Sequence, residues 1–188
     1  MSKLRPLSPV ATLAWLAVCL TAPFWLAPAH ADNTLESAVK ATYLYKLAAF
    51  VAWPPGALPA NSLVICIVGN DPFGAVLDQA VAGQTVQQRP IVVRRYGTVT
   101  ANPGCQLMYV AGSDAQPVAN VLAAVRGAPV LTVTDGQTDA STAGTINFVL
   151  QDGYVRFEID PRMATQSGLN ISSKLLSLAV RLRDESTP

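Results

Sequence analysis

Beyond residue 60 the apolar positions fall in short runs separated by polar, helix-spaced stretches. Leu63-Val64-Ile65-Cys66-Ile67-Val68-Gly69 is unbroken and β-branched, the pattern of a strand covered on both faces. Ile91-Val92-Val93, Leu107-Met108-Tyr109-Val110 and residues 129–133 repeat it more briefly. Helices are expected between these strands. One runs over 73–81 after the turn residues Asn70-Asp71-Pro72, and another over 114–126, ending at Gly127. Upstream, Asn33 and Glu36 have capping-box spacing. Leu35, Val39, Tyr43, Leu47 and Phe50 follow as the apolar stripe of a first helix, with Lys40 and Lys46 off it, and Trp53-Pro54-Pro55-Gly56 stops that helix.

The rhythm changes after residue 144. Strands at 145–150 and 154–159 are joined by Gln151-Asp152-Gly153, and Asp-Gly is a strong hairpin signal. In the second strand Val155, Phe157 and Ile159 alternate with Tyr154, Arg156 and Glu158, which predicts one buried face and one polar face. A short helix near 161–167 and a longer one over 172–183, with Leu175, Leu176, Leu178, Ala179 and Leu182 turned inward, close the chain. The alternation predicts a single-domain α/β fold: a mostly parallel, flavodoxin- or Rossmann-like sheet flanked by helices, with a C-terminal antiparallel hairpin.

The first residues change how the rest is read. Lys3 and Arg5 precede an apolar run from Val10 to Leu20, and Ala29-His30-Ala31 offers the small residues a signal peptidase needs. The run is too short to span a bilayer. Leu16-Ala17-Val18-Cys19 loosely resembles a lipobox, but Val18 is bulky for the residue before a modified cysteine. Residues 1–31 are therefore expected to be a cleaved secretory signal, leaving 32–188 as one domain. Eleven basic residues then face 12 acidic ones, with no basic patch for nucleic acid. The only histidine, His30, leaves with the signal, and so does Cys19. A histidine-free chain builds no Ser-His-Asp or Cys-His nucleophile system and no ordinary zinc site. No cofactor, no metal and no catalytic residue is expected.

Cys66 and Cys105 remain. Cys66 lies mid-strand and Cys105 just before a strand that is its neighbour in flavodoxin-like order, so a structural disulfide is expected, with two buried thiols as the alternative. Gly69-Asn70-Asp71-Pro72-Phe73-Gly74 opens a helix where phosphate loops sit, but it lacks both the Gly-x-Gly-x-x-Gly spacing and a following Lys-Ser/Thr. Asp71 and Asp135 fall at carboxyl ends of strands, where open α/β sheets place their sites; two acids there suit a cation or acid–base work. With Trp53 and Phe73 they define a candidate ligand groove. Arg156 and Glu158, on the outward strand face, are candidates for partner contact.

Several segments together resemble the YfiR family: residues 41–47 running into Phe50-Val51-Ala52-Trp53-Pro54, residues 65–74, Arg89-Pro90-Ile91-Val92-Val93, residues 105–110, 129–135 and 144–148, and Phe157-Glu158-Ile159-Asp160 through Leu176. The resemblance implies a dimeric periplasmic repressor that holds an inner-membrane diguanylate cyclase inactive through its periplasmic sensor portion. It also implies an outer-membrane-linked protein that sequesters the repressor, and it admits another membrane sensor, such as a histidine kinase, as target. It implies that Cys66 and Cys105 pair, and that Arg156, Glu158 and the segment from Met163 through Ala164 to Gly168 touch the partner. The second cysteine pair of well-known members is absent. The reading from another class is a periplasmic module that binds a small ligand or cell-wall fragment through Trp53, Asp71, Phe73 and Asp135.

Overall fold

The computed structural model describes residues 31–183; the expected leader lies outside them but for Ala31. Five helices are described: α1 (Ala31–Ala48), α2 (Ala75–Val81), α3 (Val118–Ala124), α4 (Pro161–Gln166) and α5 (Ser173–Leu176). The strands are β1 (Val51–Ala52), β2 (Leu63–Gly69), β3 (Thr85–Val86), β4 (Arg89–Tyr96), β5 (Leu107–Gly112), β6 (Leu131–Asp135), β7 (Ile146–Gln151), β8 (Tyr154–Ile159), β9 (Asn170–Ile171) and β10 (Arg181–Leu182). Eight of them form one sheet in the order β10-β8-β7-β6-β5-β2-β4-β3, and β1 pairs with β9 as a separate ribbon.

The sheet is mixed. β4, β2, β5, β6 and β7 run parallel, but β3 joins β4 and β8 joins β7 antiparallel, and β10 then returns parallel to β8. Helices α2 and α3 carry the crossovers from β2 to β4 and from β5 to β6, whereas loops alone carry those from β4 to β5 and from β6 to β7. The expected mostly parallel, doubly wound sheet gives way to this mixed one, and side-chain chemistry explains the loop after β6. Its strand alternates Leu131, Val133 with Thr132, Thr134, and the threonine face, together with Asn147 of β7, is buried. Those polar groups hold a loop backbone in place of a helix. The Gly144 N–H donates to Thr134 Oγ1 (2.9 Å), the Thr145 N–H to Thr132 Oγ1 (2.9 Å), and the Gln137 N–H to Asn147 Oδ1 (3.1 Å). Buried backbone amides need such partners wherever secondary structure does not supply them.

Two apolar layers sandwich the sheet. Leu63, Ile65, Ile67, Tyr109, Val133 and Phe148 meet α1 and α2 on one face, and Val64, Cys66, Val68, Met108 and Val110 meet α3 on the other. Cys66 and Cys105 are joined by a disulfide across the second layer, with Cα atoms 5.9 Å apart. At the end of β2 the chain approaches β5 so closely that a Cβ on Gly69 (φ +93°) would lie 2.2 Å from Gly112 O; only glycine fits there.

Three helix expectations are corrected. In α1 the buried residues are Lys40, Ala41, Leu44, Leu47 and Ala48, while Leu35 is 68% exposed and Val39 and Tyr43 are half-buried. A stripe in steps of four drifts about 40° per step around a 3.6-residue helix, so it winds off the sheet. Asn33 lies inside α1, not at its cap. The helix expected over 114–126 starts only at Val118, because Pro117 has no N–H to give a preceding turn and disfavours helical backbone before it. The expected C-terminal helix stops at Leu176; the chain then extends, leaving Leu178 and Leu182 exposed. Val180 N–H donates to Phe157 O (3.0 Å) and Arg183 N–H to Ile159 O (2.7 Å), filling the open edge of β8.

Candidate functional site

The carboxyl ends of the parallel strands gather Asp71, Phe73 and Asp135 around Tyr109, which the sequence marks only as one position of an apolar strand. Tyr109 comes from β5, and its ring meets Phe73 edge-on at 4.7 Å. Its hydroxyl donates to Asp135 Oδ2 (3.3 Å). Burial, then the charge of Asp135 and the hydrogen bond to it, raise the tyrosine pKa far above its ordinary value. Asp135 also accepts from Lys40, which bridges to Glu36 one turn earlier in α1. Lys40 is 5% exposed. A lysine this buried requires paired carboxylates, and Glu36 and Asp135 supply them. The one signal for it in the sequence was the Glu36–Lys40 spacing of four.

Asp71 is occupied from the other side. It caps its own turn, accepting from the Phe73 N–H (2.8 Å), and accepts from Arg95 Nε of β4 (2.6 Å). The same guanidinium donates to both oxygens of Asp78 and to Gly74 O (2.8 Å). Burial pushes the Asp71 carboxyl up, but Arg95 and the backbone amides of Phe73 and Gly74 outweigh it and hold the group below the usual carboxylate range. The glycine-flanked loop thus closes on Arg95 through Asp71 and the Gly74 carbonyl, with Asp78 of α2 on the same guanidinium, so this cation beside the loop is already taken by carboxylates.

Trp53 does not join this group. It is buried, and its Nε1–H donates to Gln106 O (3.2 Å), just before β5. Gln106 Oε1 in turn accepts from the Val64 N–H at the start of β2 (2.9 Å). Trp53 is therefore at the opposite end of the strands from Asp71, and the four residues do not line one groove.

The polar face of the hairpin is also rearranged. Arg156 is exposed, with its guanidinium carbon 5.1 Å from the Tyr154 ring centroid. Glu158, expected outside, is 5% exposed. It lies in a row across the sheet, Thr134–Asn147–Glu158–Arg181, and receives Arg181 and Arg183 from β10 and the residue after it. An unpaired carboxylate would not stay buried, so the arginines account for the strand that covers it. In α4, Asp160 caps the helix by accepting from the Met163 N–H (2.9 Å); Met163 is half-buried and Gly168 exposed. Ala164 is 2% exposed and packs in the core, because that face of the short helix must turn inward. Arg156, Met163 and Gly168 remain reachable from outside; Ala164 and Glu158 are covered.

The chain is thus an α/β protein with a buried disulfide from β2 to the segment before β5 and a short helix after a C-terminal hairpin. A YfiR/HmsC-like family model matches residues 37–180, so the chain belongs to the YfiR/HmsC-like family. No curated protein matches the chain. No helix among the described residues is long and apolar enough to cross a membrane.

Proposed function

We propose that this chain is a periplasmic regulatory protein that represses an inner-membrane signalling enzyme, a diguanylate cyclase, by binding its periplasmic sensor portion. The observation that carries the reading is the family match over residues 37–180. A disulfide joining two fully buried cysteines suits an oxidising compartment, in keeping with removal of residues 1–31 on export. Arg156, Met163 and Gly168 are the partner contacts in this reading, with Glu158 acting through the arginines that cover it. A homodimer is the working form, and an outer-membrane-linked protein relieves repression by sequestering it. Deleting the gene raises cellular cyclic-di-GMP, and re-expressing the wild type restores it. Re-expressing Arg156→Glu, secreted and folded, restores it less well. Unchanged cyclic-di-GMP in the deletion strain overturns the cyclase target.

A further inference from the structure

A partly enclosed cavity of about 550 Å³ opens at the amino end of the parallel strands, away from Tyr109. Its three walls are the end of α3, the loop after β6, and α4. Leu122, Val125 and Ala143 make an apolar floor, beside the hydroxyl-bearing Thr132. The walls carry charge of both signs: Arg126 just past the end of α3, Arg162 from α4, and Asp139 and Asp160 from the loop and the α4 cap. Arg126 is exposed, and its side chain makes no hydrogen bond or ion pair among the described residues. Asp139 accepts from the Ser141 N–H (2.8 Å); that bond, with the Ser141 hydroxyl, holds its carboxyl below the usual range, so it is charged at neutral pH.

This volume falls within the ordinary range for small-ligand sites, which combine an apolar lining with a few fixed polar groups. Carboxylates in the walls repel a plain anion, and guanidinium groups repel a plain cation. A molecule with a carboxylate at one end, an ammonium at the other and an apolar side chain between them satisfies both signs and the floor. We propose that this cavity binds short peptides with free termini, the carboxylate taken by Arg126 and the amino group by Asp139, with an aliphatic side chain over Leu122 and Val125. Arginine suits the carboxylate because its planar fork presents two parallel donors. The inference goes beyond the repressor reading and does not depend on it.

Titration calorimetry on the mature chain tests it, with L-alanyl-L-leucine as probe and the N-acetylated, C-amidated form of the same dipeptide as control. The free dipeptide binds saturably, and the blocked form binds about tenfold more weakly or worse, the factor for losing charge-assisted hydrogen bonds. Arg126→Ala and Asp139→Asn each weaken the free dipeptide by a similar factor. Arg126→Ala keeps the wild-type melting temperature, since that side chain supports nothing in the fold, so lost binding there is not unfolding. No saturable heat, equal binding of the blocked dipeptide, or unaltered affinity in both variants overturns the proposal. None of these measurements involves a membrane partner, so their failure leaves the cyclase reading to be judged on cyclic-di-GMP alone.

Discussion

Single residues at the carboxyl end of the sheet show how charge is managed in this fold. Arg95 serves Asp71, Asp78 and Gly74 at once, so removing it frees a whole loop. Because Asp71 titrates below its ordinary value when folded, its contribution is present above about pH 4 and is lost as pH falls through the lower, folded value. Arg95→Ala is therefore expected to cost about 1 kcal/mol at pH 7, the guanidinium being more than a third exposed and partly screened. The gap between variant and wild type narrows below pH 4 in urea melts run across pH. A second residue-scale expectation concerns the tight turn between β3 and β4, where Gln87 (φ +50°) and Gln88 (φ +65°) both adopt left-handed backbone. Such a turn favours glycine or asparagine, and other residues there cost about 1 kcal/mol each. Gln87 donates to Val51 O (3.1 Å) and so docks the turn on β1. Gln88→Gly, by contrast, is expected to raise the melting temperature by roughly 2–4 °C, read by calorimetry.

At the scale of elements, the polar row Thr134–Asn147–Glu158–Arg181 explains two features that no apolar pattern announces: a crossover made by a loop, and a terminal strand where a helix was expected. β10 is only two residues long. Its hold on the sheet comes from the arginines converging on Glu158, and Arg183 also donates to Gly144 O of the loop. Removing the carboxylate takes from Arg183, whose Nε is buried without a hydrogen-bond partner, one of its two nearby anions and leaves only Asp160. Glu158→Ala is expected to destabilise the protein by about 3 kcal/mol. It also speeds hydrogen exchange at the Val180 and Arg183 amides while leaving β2 and β5 protected. Uniform exchange across the sheet instead marks Glu158 as a global core residue rather than the clasp of β10.

For the molecule as a whole, the disulfide ties β2 to the start of β5 over a separation of 39 residues. On the chain-entropy model such a loop closure is worth about 4 kcal/mol, a large share of a domain's stability. Replacing both cysteines by alanine is expected to lower the unfolding free energy by about that amount in urea melts. Reductant alone leaves the native protein intact, because both sulfurs are fully buried. The outer surface is less even. Leu35 on α1 and Leu150 near the hairpin tip are exposed, and half-buried Tyr43 of α1 packs on Phe148 and Phe157 with ring centroids 6.1 and 6.0 Å away.

Local chemistry alone determined the strand at Leu63–Gly69 and the Asp152-Gly153 hairpin turn, because an unbroken β-branched run and left-handed turn residues leave few alternatives; the cysteine pairing needed the strand order as well. The same holds for Asp71, Phe73 and Asp135, since strand ends in an α/β sheet meet at one edge. Only the folded chain decided that Trp53 lies at the other end, that Lys40 faces inward, and that Glu158 is covered. Each depends on a partner distant in sequence: Gln106 for the indole, Asp135 for the ammonium, Arg181 and Arg183 for the carboxylate. Periodicity places a polar side chain on a face, but whether that face meets water or an opposite charge is set by register across strands.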